Sequence, residues 1–355
     1  MPELAPGQWL NTEHPLTREQ LRGRIVLLDF WDYTCVNCVR TLPYVASWHR
    51  RYAALGLVVV GVHAPEFTFA RHHAQVARAV ADHGVGYPVL LDNEYQTWER
   101  FAIKAWPTKI LVDADGYIRR TWQGEGGYGE TERAIQALLR QQQPEVRFPE
   151  PLAALRPEDR SGAVCYRPTP EIYAGVRGGG LFGGGLGNPE GYATQGPVFY
   201  RMPDAEERQE GHFYLAGAWR ALAEAVSFAG QTRGEVRVRY SGATANAVLS
   251  PSADPVETIL DLWPTAAEPA VEVRQDGRFL TANLAGADVV VGEDGRSVLR
   301  VTRPRMYELV RNAEFGTHEL ALTFCATGQA LYTLTFTGCA APAGGGRDRE
   351  TYTTR

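Results

Sequence analysis

The chain has 355 residues, 44% of them hydrophobic and 22% charged, with a net charge of −5. Such a length exceeds one ordinary domain, and such a composition excludes a disordered or fibrous chain. The acidic balance excludes nucleic acid as the main partner, since phosphate binding demands a basic surface. In the first part of the chain, apolar runs alternate with helical patterns. Strands are predicted over Ile25 to Phe30, Leu57 to Val62, Val89 to Leu91 and Ile110 to Val112. The Asp113-Ala114-Asp115-Gly116 turn leads into a hairpin partner, Tyr117 to Trp122. Helices are predicted between them, over Val39 to Tyr52, Thr68 to Asp82, Thr97 to Ile103 and Thr131 to Arg140. This order implies an α/β domain with a central mixed sheet and helices on both faces.

Composition then shifts. Residues 1–140 are charge-balanced, so the whole −5 falls beyond them. Gln141-Gln142-Gln143-Pro144 and Phe148-Pro149-Glu150-Pro151 read as a polar, proline-rich linker over 144–160. The part that follows, 161–342, alternates with a period of two at Val236 to Tyr240, Val271 to Val273, Val289 to Val291, Leu299 to Val301 and Leu331 to Phe336. Turns such as Asp276-Gly277 separate these runs at intervals of about ten residues, the pattern of an all-β, jelly-roll-like sandwich. The Gly-rich stretch from Gly178 to Gly187 is expected to be a flexible surface loop, because no phosphate-loop Lys or helix follows it. Residues 343–355 are expected to form a flexible tail.

The longest apolar run, Leu57 to Val62, is too short to span a bilayer, and Met1-Pro2-Glu3-Leu4 carries no secretory pattern. No membrane span is expected, and the expected location is the cytoplasm.

Chemistry concentrates at Cys35-Val36-Asn37-Cys38, where a strand runs into a C-x-x-C and a helix begins. Cys35 at the helix N-terminus meets free amide N–H groups and the helix dipole, which favour a thiolate. Cys38 lies one turn on, turned inward and within disulfide reach. Two bland readings stand beside this one. A structural zinc needs four ligands, and His63, His72 and His73 follow no ligand spacing. A pair of buried structural cysteines is the other. The strand–C-x-x-C–helix context favours redox chemistry, with no metal and no cofactor. The Thr-x-x-Cys of a thiol peroxidase is absent, because Thr34 immediately precedes Cys35.

Residues 1–143 resemble thioredoxin-fold proteins of the TlpA-like branch. Asp29-Phe30-Trp31 before the C-x-x-C, Trp106-Pro107-Thr108 and the extra stretch from Glu66 to Asp92 carry that resemblance. Trp31 through Pro43, together with Gly61-Val62-His63-Ala64-Pro65-Glu66-Phe67, is similar to the DipZ family. Thr169 to Tyr173, Arg303 to Tyr307 and Leu331 to Phe336 resemble that family's C-terminal β-sandwich, which is similar in architecture to carbohydrate-binding modules. The family carries a transmembrane electron-transfer domain first, whereas this chain begins with the thioredoxin-like part.

The resemblance implies a thiol–disulfide oxidoreductase acting on protein disulfides, supplied by an unidentified electron donor. Cys35 is the attacking thiol and Cys38 the resolving one. Asp29 exchanges protons with Cys38, as a desolvated carboxylate with a raised pKa would. Pro107 is expected to be cis and to expose the backbone of Trp106 to substrate. Trp31 is expected to shield the cysteines, with core packing as its bland reading, and Tyr33 and Asn37 to line the same turn, where Asn37 tunes the thiols. Glu66 is read as a solvated loop carboxylate, although the insertion brings it toward the site, and His72-His73 as an exposed helix face. An alternative reading is a glycan- or protein-binding protein in which Trp219, Trp263 and Tyr173 form a stacking platform and the redox pair is secondary; core packing is the bland reading of those aromatics. Cys325 and Cys339 end runs that read as a hairpin, Leu320 to Cys325 and Leu331 to Cys339, and both are expected to be free thiols. No partner is assigned to Cys165.

Overall fold

The computed structural model describes residues 1–260 and 269–340; the expected tail at 343–355 and Trp263 lie outside them. The first part contains β1 (Gln8–Leu10), α1 (Arg18–Leu21), β2 (Ile25–Trp31), α2 (Val36–Tyr52), β3 (Leu57–His63), α3 (His73–Asp82), β4 (Val89–Leu91), α4 (Gln96–Arg100), β5 (Thr108–Val112), β6 (Ile118–Gln123) and α5 (Tyr128–Gln142). Its six strands run in the order β1-β4-β3-β2-β5-β6. The central β2, β3 and β4 are parallel, and β1, β5 and β6 join antiparallel. This is the thioredoxin fold.

Period-two alternation in β2 decides what lies over each face. Leu27 and Trp31 face α2 and α5, whose Leu42, Val45, Ile135 and Leu139 complete one core. Val26, Leu28 and Phe30 face a second core with Leu21 and Phe101. Asp29 shares the parity of Leu27 and Trp31, so it lies under the helix that carries the cysteines. The short β1 and α1 escaped sequence reading. The start of α1 is still chemically legible, because Thr17 and Gln20 form a capping box. The helix expected over Thr68 to Asp82 is broken at His72, whose extended backbone (φ −78°, ψ 121°) separates a 3-10 turn, Thr68–Arg71, from α3.

The described residues of the second part are all-β apart from a short helix and two 3-10 turns. Its strands are β7 (Val164–Cys165), β8 (Ile172–Tyr173), β9 (Gly185–Leu186), β10 (Val198–Tyr200), β11 (His212–Ala221), β12 (Val226–Phe228), β13 (Gly234–Ser250), β14 (Ala270–Gln275), β15 (Arg278–Phe279), β16 (Val289–Val291), β17 (Ser297–Arg300), β18 (Arg305–Phe324), β19 (Ala330–Thr337) and β20 (Cys339–Ala340), with α6 (Pro255–Leu260) after β13. Strand β11 pairs with both β12 and β13, and β19 joins those two, so the sheet closes on itself. Register shifts between Gly242 and Thr244 and between Ala245 and Asn246 let the long β13–β18 pair bend around a core that includes Trp219, Tyr240 and Leu322.

Three expectations need correction here. Leu320 to Cys325 and Leu331 to Cys339 are not a hairpin, because β13 lies between β18 and β19. Cys339 instead sits in β20 opposite Cys165 of β7, and the two form a disulfide, while Cys325 is free. The Gly-rich stretch is closely packed. A side chain at Gly184 would meet the Gly211 carbonyl at 2.4 Å, and one at Gly187 would meet the Tyr214 ring at 2.4 Å.

The segment between the two parts lies along the first. Tyr44 donates from its hydroxyl to Asp159 at 2.8 Å and accepts from the Leu155 amide at 2.7 Å. The Leu152 amide donates to buried Glu132 at 2.7 Å. The two parts also share core: the Tyr332 ring packs edge-on against Phe67 and Phe69, at 5.2 and 4.9 Å between centroids. Among the described residues no helix is long and apolar enough to cross a membrane.

Candidate active site

Strand β2 ends at Trp31, and the turn to α2 is built on Asp32. Its carboxylate accepts from the Thr34 amide at 3.1 Å and the Thr34 hydroxyl at 2.9 Å. Its carbonyl accepts from the Cys35 amide at 3.3 Å. Cys35 then caps α2 with extended backbone, and its Sγ accepts from the Cys38 amide at 3.2 Å. The sulfur thus occupies the place of a capping oxygen over an otherwise free helical N–H. Cys38 is fully buried, Cys35 is half-buried, and both are free thiols.

The expected lowering of the Cys35 pKa is reversed. Burial pushes its thiol up, and the charges of Glu66 and Asp32 push it further, against the hydrogen bonds from Cys38. Desolvation of the thiolate therefore outweighs the stabilisation from the helix N-terminus. Burial pushes the Cys38 thiol well above its ordinary value.

Asp29 is completely buried, and neither carboxylate oxygen has a hydrogen-bond partner. Burial raises its pKa to about 7, held down in part by the charge of Lys109. Lys109 stands directly across from Asp29 in the β2–β5 register, is itself buried, and donates to the Gly124 carbonyl at 3.2 Å. Sequence reasoning passed it over. Its signal was visible, since Lys104 and Lys109 are the only lysines in a chain that otherwise uses arginine.

The Trp106–Pro107 peptide bond is cis. Thr108 pairs with Phe30, which sets Pro107 level with Trp31 at the end of β2. Trp106 is half-buried against Trp98, with ring centroids 4.5 Å apart. Asn37 is half-buried on the first turn of α2, its carbonyl accepting from the Thr41 hydroxyl at 2.9 Å. Trp31 is wholly buried, edge-on to His63 at 5.2 Å, and so is a core residue beneath the site.

Glu66 is not a solvated loop carboxylate. Its amide donates to the Asp32 carboxylate at 2.6 Å, and its own carboxylate accepts a short hydrogen bond from the Tyr173 hydroxyl of the second part. Tyr173 lies 3.4 Å from Glu171, which also accepts from Thr333 at 3.2 Å. Enclosure raises Glu66 well above the carboxylate range, with the charges of Glu171 and Asp32 adding to it. Burial likewise raises Glu171 to about 7. Of the supposed stacking platform, Trp219 is core and Tyr173 faces the redox site. Among the described residues no group of three or more His, Cys, Asp or Glu has the arrangement of a metal site.

Residues 5–121 match the AhpC/TSA family, and residues 169–337 match the thioredoxin-like C-terminal domain family. Over 213 residues the chain is 39% identical to Protein DipZ of Mycobacterium tuberculosis, covering 59% of this chain and 29% of that protein. The chain thus spans less than a third of the length of the DipZ proteins it matches. It is 29% identical to the thiol–disulfide oxidoreductase YkuV of Bacillus subtilis, over 39% of this chain and 93% of YkuV. Among solved structures it is similar to a putative thiol:disulfide interchange protein DsbE from Chlorobium tepidum, at 25% identity and a TM-score of 0.35, covering 39% of this chain and 94% of that one. With a C-x-x-C at the head of α2, a cis-proline beside it and both family matches in this order, the chain is similar to the DipZ-type thioredoxin-fold oxidoreductases.

Proposed function

We propose that the chain reduces protein disulfides through the Cys35–Cys38 dithiol. Cys35 attacks a substrate disulfide and forms a mixed disulfide. Cys38 attacks that bond from below, releases the substrate thiol and leaves a Cys35–Cys38 disulfide. Asp29 takes the proton from Cys38, and the Trp106–Pro107 backbone and Asn37 position the substrate. The carrying observation is the layering of the three groups: half-buried Cys35 on the helix cap, fully buried Cys38 one turn in, and an unpartnered carboxyl beneath them. The elevated Cys35 pKa supports the reductase direction. A strong oxidant draws its potential from a stabilised thiolate in the reduced form, and here burial destabilises that thiolate. A couple near roughly −270 mV agrees with this direction, and one near about −120 mV overturns it.

The cycle leaves Cys35–Cys38 oxidised, so a two-electron donor has to return it to the dithiol, and a thiol or dithiol donor would do so by the same exchange. For location, we favour an oxidising compartment over the cytoplasm expected from sequence. The Cys165–Cys339 bridge supports it, because cytosolic thiol systems keep such pairs reduced.

The test is trapping. Cys38→Ser should accumulate a covalent adduct with a disulfide substrate on non-reducing gels, and Cys35→Ser should abolish turnover and trapping. Trapping by Cys35→Ser alone reverses the order of attack. Undiminished activity in both variants removes the assignment.

A further inference from the structure

The second domain reaches the redox site at Glu66, and nothing in the scheme above uses that contact. Glu66 and Cys35 are both suspended from Asp32, the first through its amide to the carboxylate and the second through its amide to the carbonyl. The Glu66 carboxyl is held from the other side by the Tyr173 hydroxyl, which arrives on β8. Strand β8 is fixed in turn by pairing with β19, Thr333 opposite Tyr173. Tyr332, the neighbour of that pair, packs on Phe67 and Phe69 of the Glu66 loop. A carboxyl on a surface loop is therefore clamped beside the attacking thiol by the other domain.

We propose that Tyr173 is a positioning residue of the redox reaction: through its hydrogen bond it fixes Glu66 beside Cys35, and Glu66 carries the proton exchanged between Cys35 and the substrate thiolate. This rests on the disulfide-reductase reading. The balance is complete without a further reactant. Cys35 gives its proton to Glu66 and attacks the substrate disulfide; the substrate S–S bond breaks, and the first substrate thiolate takes that proton. Cys38 gives its proton to Asp29 and closes the Cys35–Cys38 bond, releasing the second substrate thiolate, which is protonated from Asp29 or solvent. Two electrons and two protons leave the dithiol for the substrate. The site thus has an acid on each side: Asp29 inside for Cys38, and Glu66 outside for Cys35.

Charged and titratable groups face Glu66 from each packed element. These are Asp32 after β2, with His63 3.3 Å behind it, Tyr95 before α4, and Glu171 with Tyr173 on the second domain. Burial and the charges of Glu171 and Asp32 raise the titration of Glu66, which agrees with a carboxylate that takes up a proton from a thiol more readily than a solvated one would.

The experiment measures iodoacetamide alkylation of Cys35 against pH, in the full chain with Cys38→Ser, reading the Cys35 peptide by mass spectrometry. Glu66→Gln removes the carboxylate charge and should move the Cys35 titration to lower pH, raising the rate near pH 8 by about threefold or more. Tyr173→Phe withdraws the donor that favours ionised Glu66 and should move the curve the same way by less. Glu224→Gln is the control. Glu224 joins the domains through Thr68, accepting from its amide at 2.9 Å and hydroxyl at 2.8 Å, without contacting Glu66. It should leave the curve in place. The proposal is overturned if Glu66→Gln and Tyr173→Phe leave the curve unmoved, or if Glu224→Gln moves it as far as Tyr173→Phe does. Adduct trapping in the same Cys38→Ser background separates the two failures. With trapping intact and the curve unmoved, only the role of Tyr173 and Glu66 is lost.

Discussion

Replacing Asp29 with Asn tests whether the acid beneath the cysteines holds its proton. The carboxyl is fully buried with both oxygens unpartnered, and its pKa stands at about 7 against an ordinary 3.8. That difference corresponds to about 4 kcal/mol of cost for ionising the folded protein. The sign follows from proton counting. Between pH 3.8 and about 7 the folded state holds a proton that the unfolded chain has released, so this group lowers stability as pH rises through that window. Above it the penalty is complete. Asn has the same shape, and no hydrogen bond to the carboxylate is lost. Asp29→Asn should therefore be more stable than the parent by up to about 4 kcal/mol at pH 8 and nearly equal to it below pH 4. Denaturant unfolding of the reduced protein at both pH values measures the difference. The same variant should trap substrate normally through Cys35 but resolve the adduct more slowly, by about tenfold or more for a lost proton acceptor. A stability gain that is the same at both pH values, or none at pH 8, refutes the buried ionisation argument.

Two further outcomes follow from the same geometry. Lys109→Met removes the one cation opposite Asp29, so the carboxyl should titrate still higher and the limb of the pH–rate profile assigned to it should move to more alkaline pH. An unmoved limb means that Asp29 and Lys109 do not communicate. Cys165→Ser opens a bridge spanning 174 residues of chain and should cost about 3–5 kcal/mol of second-domain stability. Mass spectrometry of alkylated peptides from freshly isolated protein should show that bridge closed and Cys325 free.

The strand–C-x-x-C–helix arrangement was legible in the sequence because every part of its signal is local. A strand of buried apolar residues, a C-x-x-C and a helix follow one another between Ile25 and Tyr52, and the cis-proline loop carries its own short motif. Elements with strong periodicity, such as β2, β3 and α2, were found within a few residues of their ends. Features made by long-range pairing were not. Cys165 and Cys339 became partners because β7 and β20 lie side by side, and β13 displaced the hairpin that seemed natural for β18 and β19. Glu66 looked like a solvated residue because the group that covers it, Tyr173, lies 107 residues further along the chain. The sign of the Cys35 shift was misread for the same reason. Helix position is a local property that favours the thiolate, whereas burial depends on what the rest of the chain places overhead.

That last point links the two domains to the direction of the chemistry. A thioredoxin-fold domain with a bare Cys35 would expose its helix N-terminus to water, and the thiolate would be favoured. Here Tyr332 covers Phe67 and Phe69, Tyr173 seats Glu66, and Arg40 of α2 donates to Thr337 at 3.0 Å and Thr244 at 3.4 Å on the second domain. Each contact brings the second domain against α2 or against the loop beside it. Desolvation raises the cost of the Cys35 thiolate, and a costlier thiolate means a reduced form that gives up its electrons more readily. On the function proposed above, the second domain acts on the potential of a dithiol it does not contain, through packing and one carboxyl.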